Sequence, residues 1–483
     1  MHTLEQLVFD NAFARLPDTF HARVLPTPVP DPYLVCHSAD ACRLIGLDPA
    51  QVERPAFVET FAGNRLLPGM EPLAACYAGH QFGHYVAQLG DGRAILLGEV
   101  NGWEIQIKGG GRTPFSRGGD GRAVLRSSIR EFLCSEAMHA LGIPTTRALA
   151  LVGSDRPVYR EEVESAALVT RLAPSFVRFG SFEVFYHRGQ TEPVRQLADH
   201  VIARHFPALT GRADPYPAFL AEVARRTAEL IAAWQAVGFA HGVLNTDNMS
   251  ILGLTLDYGP FGFLDAFDPG FVCNHSDSAG RYAFDQQPDV GAWNLTRLAQ
   301  ALVPLMSVDA ASDAIAAYPR DFTAAYLARM AAKFGLPPHP DTTALMLDAF
   351  ALLAADGVDY TIFFRRLCDF DSDADAGNAA LAALFRDRAA FSAWARRYAA
   401  ALRRHGVPDA ARRDSMRAVN PKYVLRNHLA EIAIRRAVDA RDFSEVARLH
   451  TLLAHPFDEQ PQFAAYAAAP PAWAKEIAVS CSS

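Results

Sequence analysis

Lys108 is the one lysine among the first 332 residues of a chain that uses arginine for its other cationic positions there. It ends an alternating, strand-like pattern that begins at Trp103, and a glycine-rich segment, residues 109–122, follows it directly. A compact ammonium group beside the accessible backbone N–H groups of such a loop is typical of a phosphate site. The sequence therefore predicts that Lys108 binds phosphate.

Two oxygen-bearing side chains, Asn248 and Asp257, stand on either side of a short apolar segment that we predict to form a hairpin. Amide and carboxylate oxygens suit a hard cation such as Mg²⁺, which completes its shell with phosphate and water. We therefore expect Asn248 and Asp257 to hold Mg²⁺ or Mn²⁺ against the phosphates of a nucleotide.

The element that carries Lys108 is a predicted β-hairpin. Residues 94–100 and 103–108 have strand patterns, and Asn101 and Gly102 between them supply the positive φ angles of a tight turn. Residues 148–152 and 166–169 are further strand candidates. These segments predict a sheet in the first third of the chain.

Helical patterns position the other candidates. Residues 123–141 carry apolar side chains at helical spacing and end at Gly142, which predicts a helix that contains Glu131. Beyond residue 170, helices are expected at 219–237, at 293–305 and over most of the alanine-rich segment to about 455.

The expected fold class is α+β, with a smaller sheet-rich N-terminal lobe and a larger helical C-terminal lobe. Residues 1–60 are rich in proline and short apolar runs, and we interpret them as an irregular N-terminal extension. We place the N-lobe with its nucleotide-binding loops at 61–170. The helical C-lobe, with the metal-binding loop and a cysteine-containing tail, is placed at 171–483.

Length, charge and hydropathy indicate two lobes and argue against nucleic-acid binding and membrane insertion. A chain of 483 residues exceeds the usual size of one hydrophobic core, so two lobes are expected. The net charge of −7 and the pI near 6.1 argue against a nucleic-acid binder. No apolar run reaches the roughly 18 residues of a membrane span, and the N-terminus lacks a secretory signal pattern. We expect a cytoplasmic protein with no nucleic-acid or membrane partner.

The cysteines and histidines give no clear zinc pattern. Seven cysteines are scattered without a Cys-x-x-Cys pair, which favours neither a disulfide framework nor a structural zinc site. His80 and His84 stand four apart, as zinc ligands on a helix do, but no glutamate or third ligand follows in a metalloprotease pattern. We therefore interpret them as buried or hairpin histidines.

The candidate residues follow the order of the protein-kinase series: a strand lysine, a helix glutamate, a loop asparagine and an aspartate before a glycine. Two departures are informative. The position where a kinase carries its proton-accepting aspartate is Val243, which cannot accept a proton. The richer glycine loop also follows the lysine strand, whereas the phosphate-covering loop of a kinase precedes it.

Four segments, residues 77–84, 107–117, 120–128 and 241–250, resemble the selenoprotein O family of protein adenylyltransferases. The resemblance runs from Asn11 to the end of the chain. It implies a protein-kinase-like two-lobe fold that binds ATP inverted relative to a kinase. AMP would then be transferred to a protein hydroxyl, and pyrophosphate would leave.

The resemblance also implies roles for individual residues. Asp247 becomes the proton acceptor, Lys108 a cation that Glu131 orients, and Asn248 and Asp257 the metal ligands. The nucleotide-contacting positions are Gly90, Gly92, Arg93, Lys108, Asp120, Gly121, Arg171, Arg178 and Asp257. Because the family carries selenocysteine or cysteine at the third-from-last place, Cys481 is implied in a reversible disulfide with Cys273.

Three functions stay open at this point. The first is AMP transfer from ATP to Ser, Thr or Tyr hydroxyls of target proteins, with UTP as a second candidate nucleotide and UMP as the group transferred. The second is a kinase-like phosphotransferase in which Asp247 replaces the usual base. The third is a catalytically silent ATP-binding scaffold, for which Val243 is the evidence.

Overall fold

The structure, a computed structural model, describes residues 1–373 and 378–480. The strands, in chain order, are β1 (His21–Arg23), β2 (Tyr33–His37), β3 (Leu73–Ala75), β4 (Gly79–Gln81), β5 (His84–Val86), β6 (Ala94–Val100), β7 (Trp103–Lys108), β8 (Ala123–Val124), β9 (Arg147–Tyr159), β10 (Val163–Ala173), β11 (Phe239–Ala240) and β12 (Gly262–Phe263).

The helices, in chain order, are α1 (Ala39–Leu44), α2 (Pro55–Phe61), α3 (Leu125–Ala140), α4 (Phe179–His187), α5 (Thr191–His205), α6 (Tyr216–Val237), α7 (Gln287–Leu302), α8 (Val308–Ile315), α9 (Tyr318–Lys333), α10 (Pro340–Asp356), α11 (Tyr360–Leu367), α12 (Ala379–Ala382), α13 (Arg388–His405), α14 (Asp409–Arg417), α15 (Asn427–Ala440) and α16 (Ser444–Leu453). The α+β class is confirmed, with a sheet-rich N-terminal part and a helical C-terminal part.

The principal sheet has eight antiparallel strands in the order β1-β3-β6-β7-β10-β9-β2, and β8 pairs with β10 beside this path. The hairpin of β6 and β7 is confirmed at the predicted residues. Asn101 and Gly102 form its turn with φ angles of 52° and 77°. Lys108 pairs with Val169 of β10 in the centre of the sheet.

Residues 1–60 differ from the irregular extension expected. They contribute β1 and β2, which lie at the two ends of the sheet order, and the short helices α1 and α2. Pairing with the distant β3 and β9 stabilises these short strands, and no pattern within the segment itself reveals that pairing.

Alternate side chains of β7 point to opposite faces of the sheet, one apolar and one that carries Lys108. Ile105 and Ile107 pack in an apolar cluster with Phe57 and Phe61 of α2 on one face of the sheet. Since successive side chains of a strand point to opposite faces, Gln106 and Lys108 project from the other face, against which α3 packs. This arrangement brings α3 and its Glu131 next to Lys108.

The C-terminal part is built around α6, the long helix that packs against α7, α8 and α9. Its last residue before a left-handed glycine is Val237, and β11 begins directly after that glycine, at Phe239. The segment between β11 and β12 carries Asp247, Asn248 and Asp257. None of the described helices combines the length and apolar character that crossing a bilayer requires.

Candidate active site

Lys108, at the end of β7, is paired with two carboxylates. Its Nζ lies 2.6 Å from Glu131 Oε2 on α3 and 2.5 Å from Asp257 Oδ1. Lys108 and Glu131 are buried, whereas the Asp257 side chain keeps 27% of its surface exposed. A lysine ammonium has three N–H donors; the described residues use two of them, and the third is available to a ligand.

Arg171 on β10 contacts the same two carboxylates. Its Nη1 lies 3.0 Å from Glu131 Oε1 and 3.2 Å from Asp257 Oδ1, and its Nη2 donates to Gln106 Oε1. Arg171 stands opposite Gln106 in the sheet register, and Gln106 lies two residues before Lys108. All three side chains therefore share one face of the sheet.

This network determines the ionisation of Asp257. Burial by itself raises the pKa of this carboxyl group, but Lys108, Arg171 and Arg93 more than offset burial and hold the pKa well below its usual range. Oδ1 accepts from Lys108 and Arg171, while no described residue donates to Oδ2. Asp257 is therefore an ionised carboxylate with one oxygen left for a cation.

Asn248 closes a short 3₁₀ turn, Thr246–Asn248. Its Nδ2 donates to the carbonyl oxygen of Val243 at 2.9 Å, and no described residue donates to its Oδ1. The hairpin expected between Asn248 and Asp257 is reduced to a single antiparallel bridge between Met249 and Thr255.

Asp247 is buried beside the β4–β5 hairpin. Gln81 Nε2 donates to its Oδ2 at 3.1 Å, and its Oδ1 has no hydrogen-bond partner among the described residues. Burial raises the pKa of Asp247 to about 6, although Arg178 and Gln81 act in the opposite direction. A buried carboxylate with an unpartnered oxygen is chemically suited to accept a proton.

Arg178 precedes α4 and holds the Asp247 loop. Its Nη1 donates to the carbonyl oxygen of Asp247 at 2.9 Å, and its guanidinium lies 4.4 Å from the centre of the Tyr77 ring. Arg178 is buried. Its cation therefore lies close to the base candidate and to the cavity wall.

The glycine segments pack backbone against backbone. A Cβ at Gly92 would lie 2.8 Å from the carbonyl oxygen of Phe115, and a Cβ at Gly121 would lie 2.0 Å from that of Gly111. Gly90 and Gly121 also have positive φ angles of 67° and 70°. Only glycine meets both demands at Gly121.

Arg93 and Asp120 lie at the cavity in different electrostatic states. The Arg93 guanidinium has no hydrogen-bond or ion-pair partner among the described residues, so it is available to an anion. Asp120 is paired with Arg160 at 2.9 and 3.0 Å, and Arg160 lowers the pKa of Asp120. A nucleotide that contacts Asp120 thus meets a paired carboxylate.

These side chains line one cavity of about 540 Å³, which falls within the roughly 300–1,000 Å³ of small-molecule sites. The predicted site residues along its wall are Gly90, Gly92, Arg93, Lys108, Asp120, Gly121, Glu131, Arg178, Asp247, Asn248 and Asp257. Among the described residues, Arg171 is not part of the wall, and it acts on the cavity through Glu131 and Asp257.

Three residues of the site were missed in the sequence. Gln106 binds Arg171, Gln81 binds Asp247, and Tyr77 contacts Arg178. The two-residue spacing from Gln106 to Lys108 was a usable signal. Tyr77 and Gln81 lie in the segment 77–84 that carries the family resemblance, but no local pattern indicates the contact of Gln81 with Asp247, which spans 166 positions.

The predicted redox pair is only partly described. Cys273 is buried, and its Sγ lies 3.5 Å from the carbonyl oxygen of Ala240. It packs against the Asp247 loop, since a Cβ at Gly242 would lie 2.7 Å from its sulfur. Cys481 lies outside the described residues.

Comparison with known proteins places these residues in a family. A family model described as "Protein adenylyltransferase SelO" matches residues 3–454. The chain belongs to the SelO family. The "Protein nucleotidyltransferase YdiU" of Thiobacillus denitrificans is 75% identical over 488 residues, and the match covers 100% of both chains. Proteins of the same name from Thioalkalivibrio sulfidiphilus and Myxococcus xanthus are each 58% identical, again over 100% of both chains.

The SelO assignment confirms the resemblance read from the sequence motifs. All the cavity-lining residues named above lie within the matched range 3–454. Cys481 lies beyond it.

Proposed function

We propose that this SelO-family protein transfers AMP from ATP to Ser, Thr or Tyr hydroxyls of target proteins in the cytoplasm and releases pyrophosphate. Nucleotidyl transfer to protein is the reaction class of its family. The observation that supports AMP transfer in particular is the set of side chains that line the cavity. It combines the paired Lys108 with an available Arg93 and with Asp247, while Val243 occupies the position of a kinase base.

We further propose a kinase-like arrangement of two lobes, with boundaries near residues 60 and 170. The support is the pairing of a strand lysine with a helix glutamate, 2.6 Å apart, opposite Asn248 and Asp257 on the helical part. Residues 1–60 would then be an extension that adds edge strands to the N-lobe.

The donor set fits a hard divalent cation, for which we propose Mg²⁺ or Mn²⁺. Asn248 Oδ1 and Asp257 Oδ2 accept no hydrogen bond from any described residue, and Asp257 is held ionised. When bound, such a cation neutralises phosphate charge in the cavity. Two protein oxygens leave the remaining positions to phosphate and water, as Mg²⁺ prefers.

The transfer step follows from the cavity's own groups. The acceptor hydroxyl oxygen forms a bond to the α-phosphorus while the bond from that phosphorus to the α–β bridging oxygen breaks. Asp247 takes the hydroxyl proton through its unpartnered Oδ1, and pyrophosphate leaves with the electron pair. Lys108, Arg93 and Arg178 stabilise the charge that develops on the phosphates.

Labelled nucleotide tests this function. The full-length protein with Mg²⁺ or Mn²⁺ is incubated with a cell extract and ATP labelled at the α or the γ phosphate. We expect protein-bound label from α only, lost in Asp257→Ala and retained in the exposed control Asp285→Ala. Label from γ only would identify a phosphotransferase, and label from neither a silent scaffold. The same incubation with UTP labelled at its α phosphate tests whether the protein also transfers UMP.

We also propose that Cys273 and Cys481 form a reversible disulfide, in which two thiols lose two protons and two electrons to a cellular oxidant. The support is that the His275 N–H donates to the carbonyl oxygen of Val479 at 2.8 Å. Val479 lies two residues before Cys481 and His275 two residues after Cys273, so this hydrogen bond brings the C-terminal segment next to Cys273. Mass spectrometry of the oxidised protein should find the linked peptides, and Cys481 found only as a thiol would refute the pairing.

A further inference from the structure

Three side chains beside the loop that carries Asp247 form a cluster that the proposed AMP transfer does not use. His80 on β4 and Glu183 and His187 on α4 each present one ligand atom, and these atoms lie within 4.8 Å of one another. His80 Nδ1 is 2.7 Å from Glu183 Oε2. His84, which the sequence offered as the partner of His80, lies on β5 opposite Gln81 instead.

The cluster has an unsatisfied acceptor. Glu183 is 1% exposed, and its Oε1 has no hydrogen-bond partner among the described residues. A buried carboxylate oxygen without a partner is costly. A cation between the carboxylate and the imidazoles would satisfy it.

Aromatic packing holds both imidazoles, of which His80 is buried and His187 is exposed. The His187 ring centre lies 3.9 Å from that of Tyr85, and the His80 and Trp293 rings make a T-shaped contact with their centres 5.3 Å apart. His187 is exposed, which gives a cation a path from solvent.

We propose that His80, Glu183 and His187 bind one Zn²⁺, with water as the fourth ligand. Two imidazole nitrogens and one carboxylate oxygen are a zinc donor set, whereas Mg²⁺ and Mn²⁺ prefer oxygen ligands. If the cation binds His80 through Nδ1, the ring proton lies on Nε2, and the bond to the cation replaces the contact between Nδ1 and Glu183. The site is therefore chemically distinct from the oxygen pair of Asn248 and Asp257.

The zinc would join β4 and α4, which lie on either side of the loop that carries Asp247. On one side, Gln81 next to His80 donates to Asp247. The backbone N–H of His80 also donates to Thr246 Oγ1 at 2.7 Å. On the other side, α4 follows directly after Arg178, which binds the carbonyl of Asp247. A clamp between β4 and α4 would hold both contacts in register.

Zinc binding by the full-length protein tests the proposal independently of AMP transfer. Chelator-treated wild type, His187→Ala and His84→Ala are titrated with Zn²⁺ in excess Mg²⁺, which occupies oxygen-donor sites. His84→Ala is the matched control, because His84 is an exposed histidine of the same hairpin outside the cluster. Stoichiometry is measured by elemental analysis and stability by thermal unfolding.

We expect one Zn²⁺ per chain and a raised Tm for wild type and His84→Ala. His187→Ala should bind at least about tenfold more weakly, since even loss of a group behind a metal ligand costs that much. Glu183→Gln, which keeps the side-chain size but removes the charge, should weaken binding as well. Equal zinc affinities for wild type and His187→Ala, or no zinc bound to wild type, would overturn the proposal.

Discussion

At the scale of single residues, the candidate proton acceptor is Asp247, four positions after Val243, which stands where a kinase loop carries its aspartate. Asp247 and Val243 both line the cavity, and the two are joined through Asn248, whose amide donates to the Val243 carbonyl. Asp247 also differs from Asp257 in its electrostatics. Burial raises the pKa of Asp247, whereas three neighbouring cations lower that of Asp257. Two aspartates ten positions apart are thereby suited to different roles, one to proton transfer and one to cation binding.

Asp247→Asn should reduce AMP transfer and leave ATP binding intact. The amide keeps the size of the side chain and its place beside Gln81, but it cannot take the hydroxyl proton. General-base catalysis contributes about 10²–10⁴-fold, and turnover should fall by that order. Turnover and the dissociation constant of ATP are measured for this variant and for the exposed control Asp285→Asn. Wild-type turnover in Asp247→Asn would remove Asp247 from the mechanism.

At the scale of elements, the glycine-rich loop between β7 and β8 is closed by its own backbone. The Gly111 N–H donates to the carbonyl oxygen of Gly121 at 3.0 Å. Lys108 sits at one end of this loop and α3, with Glu131, follows its other end. The loop thus forms a wall of the cavity between the two members of the central ion pair.

Gly121→Ala and Gly118→Ala separate steric closure of this loop from backbone strain. Both glycines have positive φ angles, 70° and 84°, so each alanine costs roughly 1–2 kcal/mol of strain. Only at Gly121 would the new Cβ meet backbone, 2.0 Å from Gly111 O, whereas nothing lies within 4 Å of it at Gly118. We expect Gly121→Ala to lose ATP affinity and Tm well beyond Gly118→Ala. Equal losses, measured by nucleotide titration and thermal unfolding, would contradict the closure described here.

At the scale of the whole molecule, ion pairs join the sheet to the helical part across the cavity. Lys108 and Arg171 extend from the sheet to the carboxylate of Asp257. Arg178, which precedes α4, adds a hydrogen bond to the backbone carbonyl of Asp247. A second apolar core, farther along the chain, lies under α9, α10, α11 and α13. Lys333 is buried against this core: it is 3% exposed, and its Nζ lies 4.2 Å from the centre of the Phe364 ring.

Lys333 should make the stability of this core depend on pH. Burial lowers the pKa of Lys333 from 10.5 to about 7. Between those values the unfolded chain binds more protons than the folded one, so the free energy of unfolding rises with pH in that window. Lys333→Met should therefore stabilise the protein at pH 7, and its advantage should shrink as the pH rises toward 10.5.

Chemical denaturation at several pH values between 7 and 10.5 checks this prediction. The exposed Lys475→Met serves as the control and should show no such trend. A constant difference between Lys333→Met and wild type across the window would show that Lys333 does not titrate differently in the folded and unfolded states.

Local turns and individual helices could be predicted from the amino-acid sequence alone. The Asn101-Gly102 turn and the helix that carries Glu131 were predicted closely, because turn chemistry and helical periodicity are local properties. The motifs likewise identified the SelO family, because they are uninterrupted stretches of sequence. The strands of residues 1–60 were missed because their stability comes from pairing with distant strands.

The contacts between side chains distant in the sequence depend on the tertiary fold. Sheet register placed Arg171 behind the cavity wall rather than in it, and packing of the β4–β5 hairpin brought Gln81 to Asp247. The same packing gave His80 the partners Glu183 and His187 in place of His84. These contacts join residues far apart in the chain, and the free energy that selects them comes from burial and pairing across the whole fold.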